Sequence, residues 1–354
     1  MAIIEKPFSC RKGNMVIRGK EVFDDELEGL LKPVIISHGF TADLRRSLPY
    51  GHFLARLGYH TYCFDFCGGG YETTSDGSFN DYMTPLTEVD DLKSVISYVS
   101  GQGGIDMKEL VLMGCSQGGF VSALVAAGLK NKVRGLVLFY PALCIPDDAR
   151  AGKMQRIRFD PDNIPPVVGT DRMKVAGAYA SSVIRMNIFE EIKGYRGKVL
   201  IVHGTGDTIV NYGYALVADE VYRKNDAESE LVLMAGAPHG FTDDDFDQSC
   251  EILKKWIGKL SFLITAEAGL FSGFCFFSEF FFQVLIAFFF FLFPEVVFPS
   301  LKNSCAVIKR MVKLFACQVE DMAIHDIETM EIAVLQRNAV YIAAEDILRQ
   351  EGGD

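Results

Sequence analysis

The chain is short of positive charge. Its 46 acidic residues outnumber 35 lysines and arginines, leaving a net charge of −11, and nucleic-acid binding requires clustered basic residues. That class of partner is therefore excluded. Regular cysteine spacing is also missing. Nine cysteines, an odd number scattered without pattern, read as reduced thiols rather than a disulfide framework. No pair of His or Cys residues is read at zinc-ligand spacing, so a metal mechanism has little support. The first twenty residues hold no continuous apolar run of signal-peptide length. They read instead as opening strands, Phe8 to Arg11 and Met15 to Arg18, around the turn Lys12-Gly13-Asn14. No internal repeat is visible. What remains is a chain of 354 residues expected in the cytoplasm, with membrane association open through its C-terminal hydrophobic segment, and longer than the ~250 residues that an α/β fold often uses as one unit.

Its most informative feature is Gly114-Cys115-Ser116-Gln117-Gly118. An apolar strand, Leu110 to Met113, precedes it, and a run of small residues from Gly119 to Ala127 begins a helix after it. In that setting G-x-S-x-G is a strand–turn–helix elbow that presents Ser116 as a nucleophile. The glycines have a mechanical reason, because a side chain at either flank of so sharp a turn would strike the neighbouring strand or helix. A serine hydroxyl needs a base to take its proton, and a base needs an acid to orient it. Both lie downstream. The strand Lys198 to Gly204 ends in Thr205-Gly206-Asp207, and the strand Glu230 to Met234 leads through Ala235-Gly236-Ala237-Pro238 to His239. Asp207 is expected to fix the tautomer of His239 and to stabilise its imidazolium when Ser116 attacks.

Other candidates carry less. His203 at its strand end reads as a packed histidine that shapes the loop. Asp243, Asp244 and Asp245 read as a solvated helix start, favourable at a helix N-terminus. Cys115 sits at the wrong position of the elbow to face the site and reads as a small buried hydrophobe. His52, His60 and His325 have no acid or nucleophile in a matching frame. Two backbone donors for an oxyanion are expected, the N–H of Gln117 after the nucleophile and the N–H of Phe40 in the loop His38-Gly39-Phe40-Thr41, which follows the strand Lys32 to Ser37. A further strand, Tyr59 to Phe66, comes before the elbow.

With these stretches in order, the chain resembles the α/β-hydrolase superfamily. Within it the chain is similar to bacterial feruloyl or cinnamoyl esterases of the dienelactone-hydrolase-like group. Ser37 to Phe40, Phe64-Asp65-Phe66 with Gly68-Gly69-Gly70, Gly114 to Gly119, Ile201 to Asp207 and His239-Gly240-Phe241 carry the likeness, over about residues 30 to 260. Gly69, where relatives often have His, and Cys115, where many have His or Tyr, depart from the pattern and bear on the pocket's shape. The resemblance implies a mostly parallel central sheet flanked by helices. It also implies a serine carboxylic-ester hydrolase that works through an acyl-enzyme on a small-molecule ester, with no cofactor. After the strand Val133 to Tyr140, the stretch from about 141 to 191 is rich in Pro, Asp and Arg and reads as a cap over Ser116. By the family match Asp148, Gln155 and Tyr179 hold the phenolic hydroxyls of the acyl group. Alternatively, Asp148 and Gln155 are surface residues and Tyr179 packs under the lid.

The hydrolase domain, 1–260, closes with a helix from Phe246 to Lys259. A Phe-rich hydrophobic segment over 261–300 follows. Ala268 to Phe293 is almost wholly apolar and long enough to cross a ~30 Å hydrocarbon core as a helix, though lysines on both sides leave its orientation open. It reads as a membrane anchor, as an apolar hairpin or helix packed on the hydrolase or a partner, or as non-native sequence in the reading frame. In the tail over 301–354, apolar residues from Met322 to Leu348 recur at helical spacing and predict an amphipathic helix. Two rival functions stand beside the esterase. One is a peptidase or thioesterase with the same three side chains, and the other is a silent membrane-tethered binding module.

Overall fold

In the computed structural model the chain opens on a hairpin. β1 (Ile3–Lys12) and β2 (Met15–Asp24) pair antiparallel from Ile3 against Asp24 to Lys12 against Met15, turning at Gly13-Asn14. Both strands run longer than expected. β3 (Lys32–Ser37), β4 (Tyr59–Phe64), β5 (Val111–Cys115) and β6 (Gly135–Phe139) follow, and are buried along almost their whole length. The chain then leaves the sheet for two small antiparallel pairs, β7 (Lys153–Met154) with β8 (Ile157–Arg158) and β9 (Val167–Val168) with β10 (Val175–Ala176). It returns as β11 (Lys198–Gly204) and β12 (Glu228–Met234). The structure describes residues 2–170 and 173–260. The expected hydrophobic segment over 261–300 and the tail over 301–354, with the membrane contact assigned to 268–293, lie outside the described residues. Among the described residues no helix is long and apolar enough to cross a membrane.

One eight-stranded sheet runs β1-β2-β4-β3-β5-β6-β11-β12. The hairpin joins it antiparallel through β2 and β4, and every pairing from β4 to β12 is parallel. Strands buried on both faces need apolar side chains at every position, which is why β3, β5, β6 and β11 read as unbroken Val, Ile, Leu and Met runs. Strand order reverses about β3, whose neighbours are β4 and β5. Such a reversal opens a crevice at the carboxyl ends of the strands, where ligands bind.

Alternate residues feed two cores, because successive side chains point to opposite faces. Leu112, Leu136, Leu138, Val199 and Ile201 pack with α2 (Pro85–Ser100), α3 (Gln117–Leu129) and α7 (Gly213–Lys224). Val111, Met113, Val137, Phe139, Leu200 and Val202 pack with α1 (Leu48–Ala55) and with α8, the helix over 243–260. α8 begins at Asp243, so the three aspartates are its first turn. The short helices α4 (Ile145–Arg150), α5 (Ala178–Ser181) and α6 (Ile188–Glu191), with β7 to β10, make up the insertion between β6 and β11.

Candidate active site

Ser116 stands between β5 and α3 with φ 53° and ψ −118°, a conformation that a non-glycine residue holds only under constraint. The glycines around it are forced by contact. A Cβ on Gly114 would lie 2.2 Å from the Gly118 carbonyl oxygen, and one on Gly118 would lie 2.3 Å from Ser37 O and 2.4 Å from His38 O. The first collision is with the helix start and the second with the adjoining strand end, as the sequence implied.

The loops after β11 and β12 bring the downstream pair to this serine. His239 Nε2 is 2.9 Å from Ser116 Oγ, and His239 Nδ1 is 2.7 Å from Asp207 Oδ2. A carboxylate only accepts, so Nδ1 carries the ring proton and Nε2 is left to accept from the Ser116 hydroxyl. Asp207 is saturated with donors. Besides His239 it accepts from Ile209 N at 2.8 Å and Val210 N at 2.9 Å through Oδ1. His203 Nε2, 3.0 Å away, shares Oδ2 with His239. Burial pushes the Asp207 carboxyl up, but the hydrogen bonds from His203, His239 and Val210 N outweigh it and hold the group well below the usual carboxylate range. Asp207 therefore stays ionised.

His203 is the part of this line that sequence reasoning missed. It is packed and fully buried, as expected, yet it also bonds the acid. Its Nε2 faces two acceptors, Asp207 Oδ2 and the Val210 carbonyl oxygen at 3.1 Å, so it carries the proton there. A histidine four residues before the acid, at the buried end of an apolar strand, was the available signal. Tyr140 was missed too. It sits at φ 38° just past β6 and sets its ring edge-on to His239, centroids 4.9 Å apart. His52 and His60 pair with Glu5 and Glu21 of the hairpin instead, and His325 lies outside the described residues. Cys115 is buried under the elbow, where burial pushes its thiol up to about 12.

The loop after β3 passes against the serine, since a Cβ on Gly39 would lie 3.1 Å from that of Ser116. His38 orients this loop. Its Nε2 accepts from Phe66 N at 3.2 Å, leaving Nδ1–H to donate to the Gly39 carbonyl at 2.8 Å. Burial keeps the imidazole neutral by lowering its affinity for a second proton. Ala42 N binds the same carbonyl. In a trans peptide the N–H points opposite to the C=O, so fixing Gly39 O turns the Phe40 N–H the other way. Gln117 is the first residue of α3, where backbone N–H groups have no partner within the helix.

A cavity of about 50 Å³, measured for the centre of a water-sized sphere, opens beside Ser116 under the insertion. The structure brings all three expected cap residues, Asp148, Gln155 and Tyr179, into its wall with Phe40 and Gln117. Asp148 is 3.2 Å from Lys153 Nζ. Gln155 stands at the exposed tip of the β7–β8 pair. Tyr179 is buried, and its hydroxyl donates to Gln117 Oε1. Gly69 and Cys115 are not among the described lining residues.

This architecture places a hydroxyl, an imidazole and an ionised carboxylate in one hydrogen-bonded line at the carboxyl end of a parallel sheet. Residues 31–160 match the family described as serine aminopeptidase, S33. Est1E from Butyrivibrio proteoclasticus, solved with ferulic acid bound, is 25% identical with a TM-score of 0.66, covering 72% of this chain and 98% of its own. The esterase Pf2001 of Pyrococcus furiosus shares the fold at 20% identity and a TM-score of 0.53, over 72% of this chain and 93% of its own. So does a putative dienelactone hydrolase from Klebsiella pneumoniae, at 15% identity and 0.52, over 73% and 99%. The chain has the α/β-hydrolase fold and is similar to the serine hydrolases and esterases built on it. Within that class it is similar to bacterial feruloyl esterases.

Proposed function

We propose that the protein hydrolyses carboxylic esters by two-step acyl transfer, with Ser116 as nucleophile, His239 as general base and Asp207 as its orienting acid. The observation that carries this reading is the continuous hydrogen bonding from Ser116 Oγ through the His239 ring to Asp207. Ser116 attacks the ester carbonyl as His239 takes its proton, and the N–H groups of Phe40 and Gln117 receive the developing oxyanion. His239 then protonates the leaving alcohol. Water activated by the same ring releases the acid. Hydroxycinnamoyl esters are the proposed substrates, with Asp148, Gln155 and Tyr179 around the aromatic hydroxyls, in keeping with the ferulic acid held by Est1E. The match to the serine aminopeptidase family favours a second reading, peptide hydrolysis by the same three side chains.

A fluorophosphonate probe is expected to label the wild type at Ser116 and to leave Ser116→Ala unlabelled. Parallel assays on hydroxycinnamoyl esters, short aliphatic esters and aminoacyl amides separate the two readings. Turnover of the amides alone would reject the esterase.

A further inference from the structure

Glu88 has no part in the chemistry above, yet it is among the most deeply buried carboxyl groups of the described chain, at 1% exposure. It lies on the inward face of α2, in a stripe with Pro85, Val89 and Leu92. Its Oε2 accepts from Gln117 Nε2 at 2.8 Å, while Oε1 is buried without a hydrogen-bond partner. Burial pushes the carboxyl well above the usual range, against the lowering effect of the Gln117 hydrogen bond, and nearby Asp91 adds to the rise.

The Gln117 amide has one consistent orientation. Its NH2 end faces two acceptors, Glu88 Oε2 and Met83 Sδ, the latter at 3.6 Å. Its carbonyl end faces the Tyr179 hydroxyl. A phenol has a single proton. Tyr179, which lines the cavity, gives that proton to Gln117, so its oxygen has only lone pairs left to offer.

We propose that Glu88 is a positioning residue which, through the Gln117 side chain, fixes Tyr179 as a pure acceptor and so selects acyl groups ending in a hydroxyl donor over their methyl ethers. This rests on the esterase reading and specifies its substrate. A substrate hydroxyl meets a lone pair and is satisfied. An ether oxygen meets a lone pair with no proton between them, and a buried polar site left unpaired is what gives strong discrimination. Without the acceptor at Glu88 the Gln117 amide is free to turn over, Tyr179 can then point its proton into the cavity, and an ether becomes acceptable.

The full-length wild type, Glu88→Gln, Glu88→Met and Tyr179→Phe are assayed with methyl para-hydroxycinnamate, methyl para-methoxycinnamate and para-nitrophenyl butyrate. Active sites are counted by fluorophosphonate labelling. The wild type is expected to favour the hydroxyl ester over the ether by about tenfold or more in kcat/KM. Glu88→Met should lower that ratio severalfold and Glu88→Gln should lower it less, because a Gln carbonyl can still accept from Gln117. Butyrate turnover and labelling should stay within about twofold of wild type in both Glu88 variants. Tyr179→Phe should lower the ratio at least as far as Glu88→Met. Where Glu88→Met does not fold, the near-isosteric Glu88→Gln decides. An undiminished ratio in a folded Glu88 variant, or a wild type that labels and turns over both cinnamates equally, overturns the proposal. A wild type that does not label at Ser116 defeats the esterase reading instead.

Discussion

Asp207 is held by four donors at once, and two of them are histidines on one oxygen. Removing its charge should disturb both reactivity and stability. Asp207→Asn is expected to lower kcat on an activated ester by about 10⁴-fold, the scale at which a triad loses its orienting carboxylate. Because the folded carboxyl is held below its unfolded value of about 4, its stabilising contribution is fully present above that pH and is lost as pH falls through the folded value. Urea midpoints should therefore differ most between wild type and Asp207→Asn near neutrality and converge under acid; a gap that widens on acidification would contradict this. Ser116, Asp207 and His239 were legible because each follows an apolar strand in a fixed chain order. His203 and Glu88 were not, since their roles appear only when a turn folds back or a helix docks. Glu88 falls on the apolar stripe of α2 three residues after Pro85 and four before Leu92. A carboxyl in that stripe was the readable sign that it would be buried.

Elements were legible to the degree that they are buried on both faces. β3, β5, β6 and β11 announce themselves as apolar runs, whereas β1 is mostly exposed or half-buried, β2 mixes half-buried with buried positions, and both extend past the stretches the sequence suggested. The insertion was legible only as an insertion, because strands of two residues are too short for any periodicity. At the elbow the geometry gives a sharp contrast between two glycines of the same helix. Gly118→Ala drives a Cβ into the backbone of the loop that carries Phe40. It should destabilise by about 1–3 kcal/mol, as overpacking does, and remove most activity on every ester. Gly128→Ala meets nothing within 4 Å and sits exposed near the end of α3, so it should stabilise by about 0.5–1 kcal/mol. Thermal melts of the two variants check both signs, and equal behaviour would refute the contact argument.

Across the whole molecule, α8 closes the second core by laying Trp256 over Gly135, where a Cβ would come within 2.9 Å of the indole. Trp256 is 3% exposed and is the only tryptophan in the sequence. Trp256→Ala should cost about 3–5 kcal/mol, read as a lower urea midpoint by circular dichroism; an unchanged midpoint would mean that α8 does not hold the sheet. The strand order was not readable from spacing alone, because it depends on where crossovers place each strand. That order has a bearing on how the enzyme comes into being. The proposed base follows β12, which is both the last strand among the described residues and the outermost at its edge of the sheet. A nascent polypeptide can finish the elbow, dock six inner neighbours and still be inert, since no proton acceptor arrives until that final border is laid.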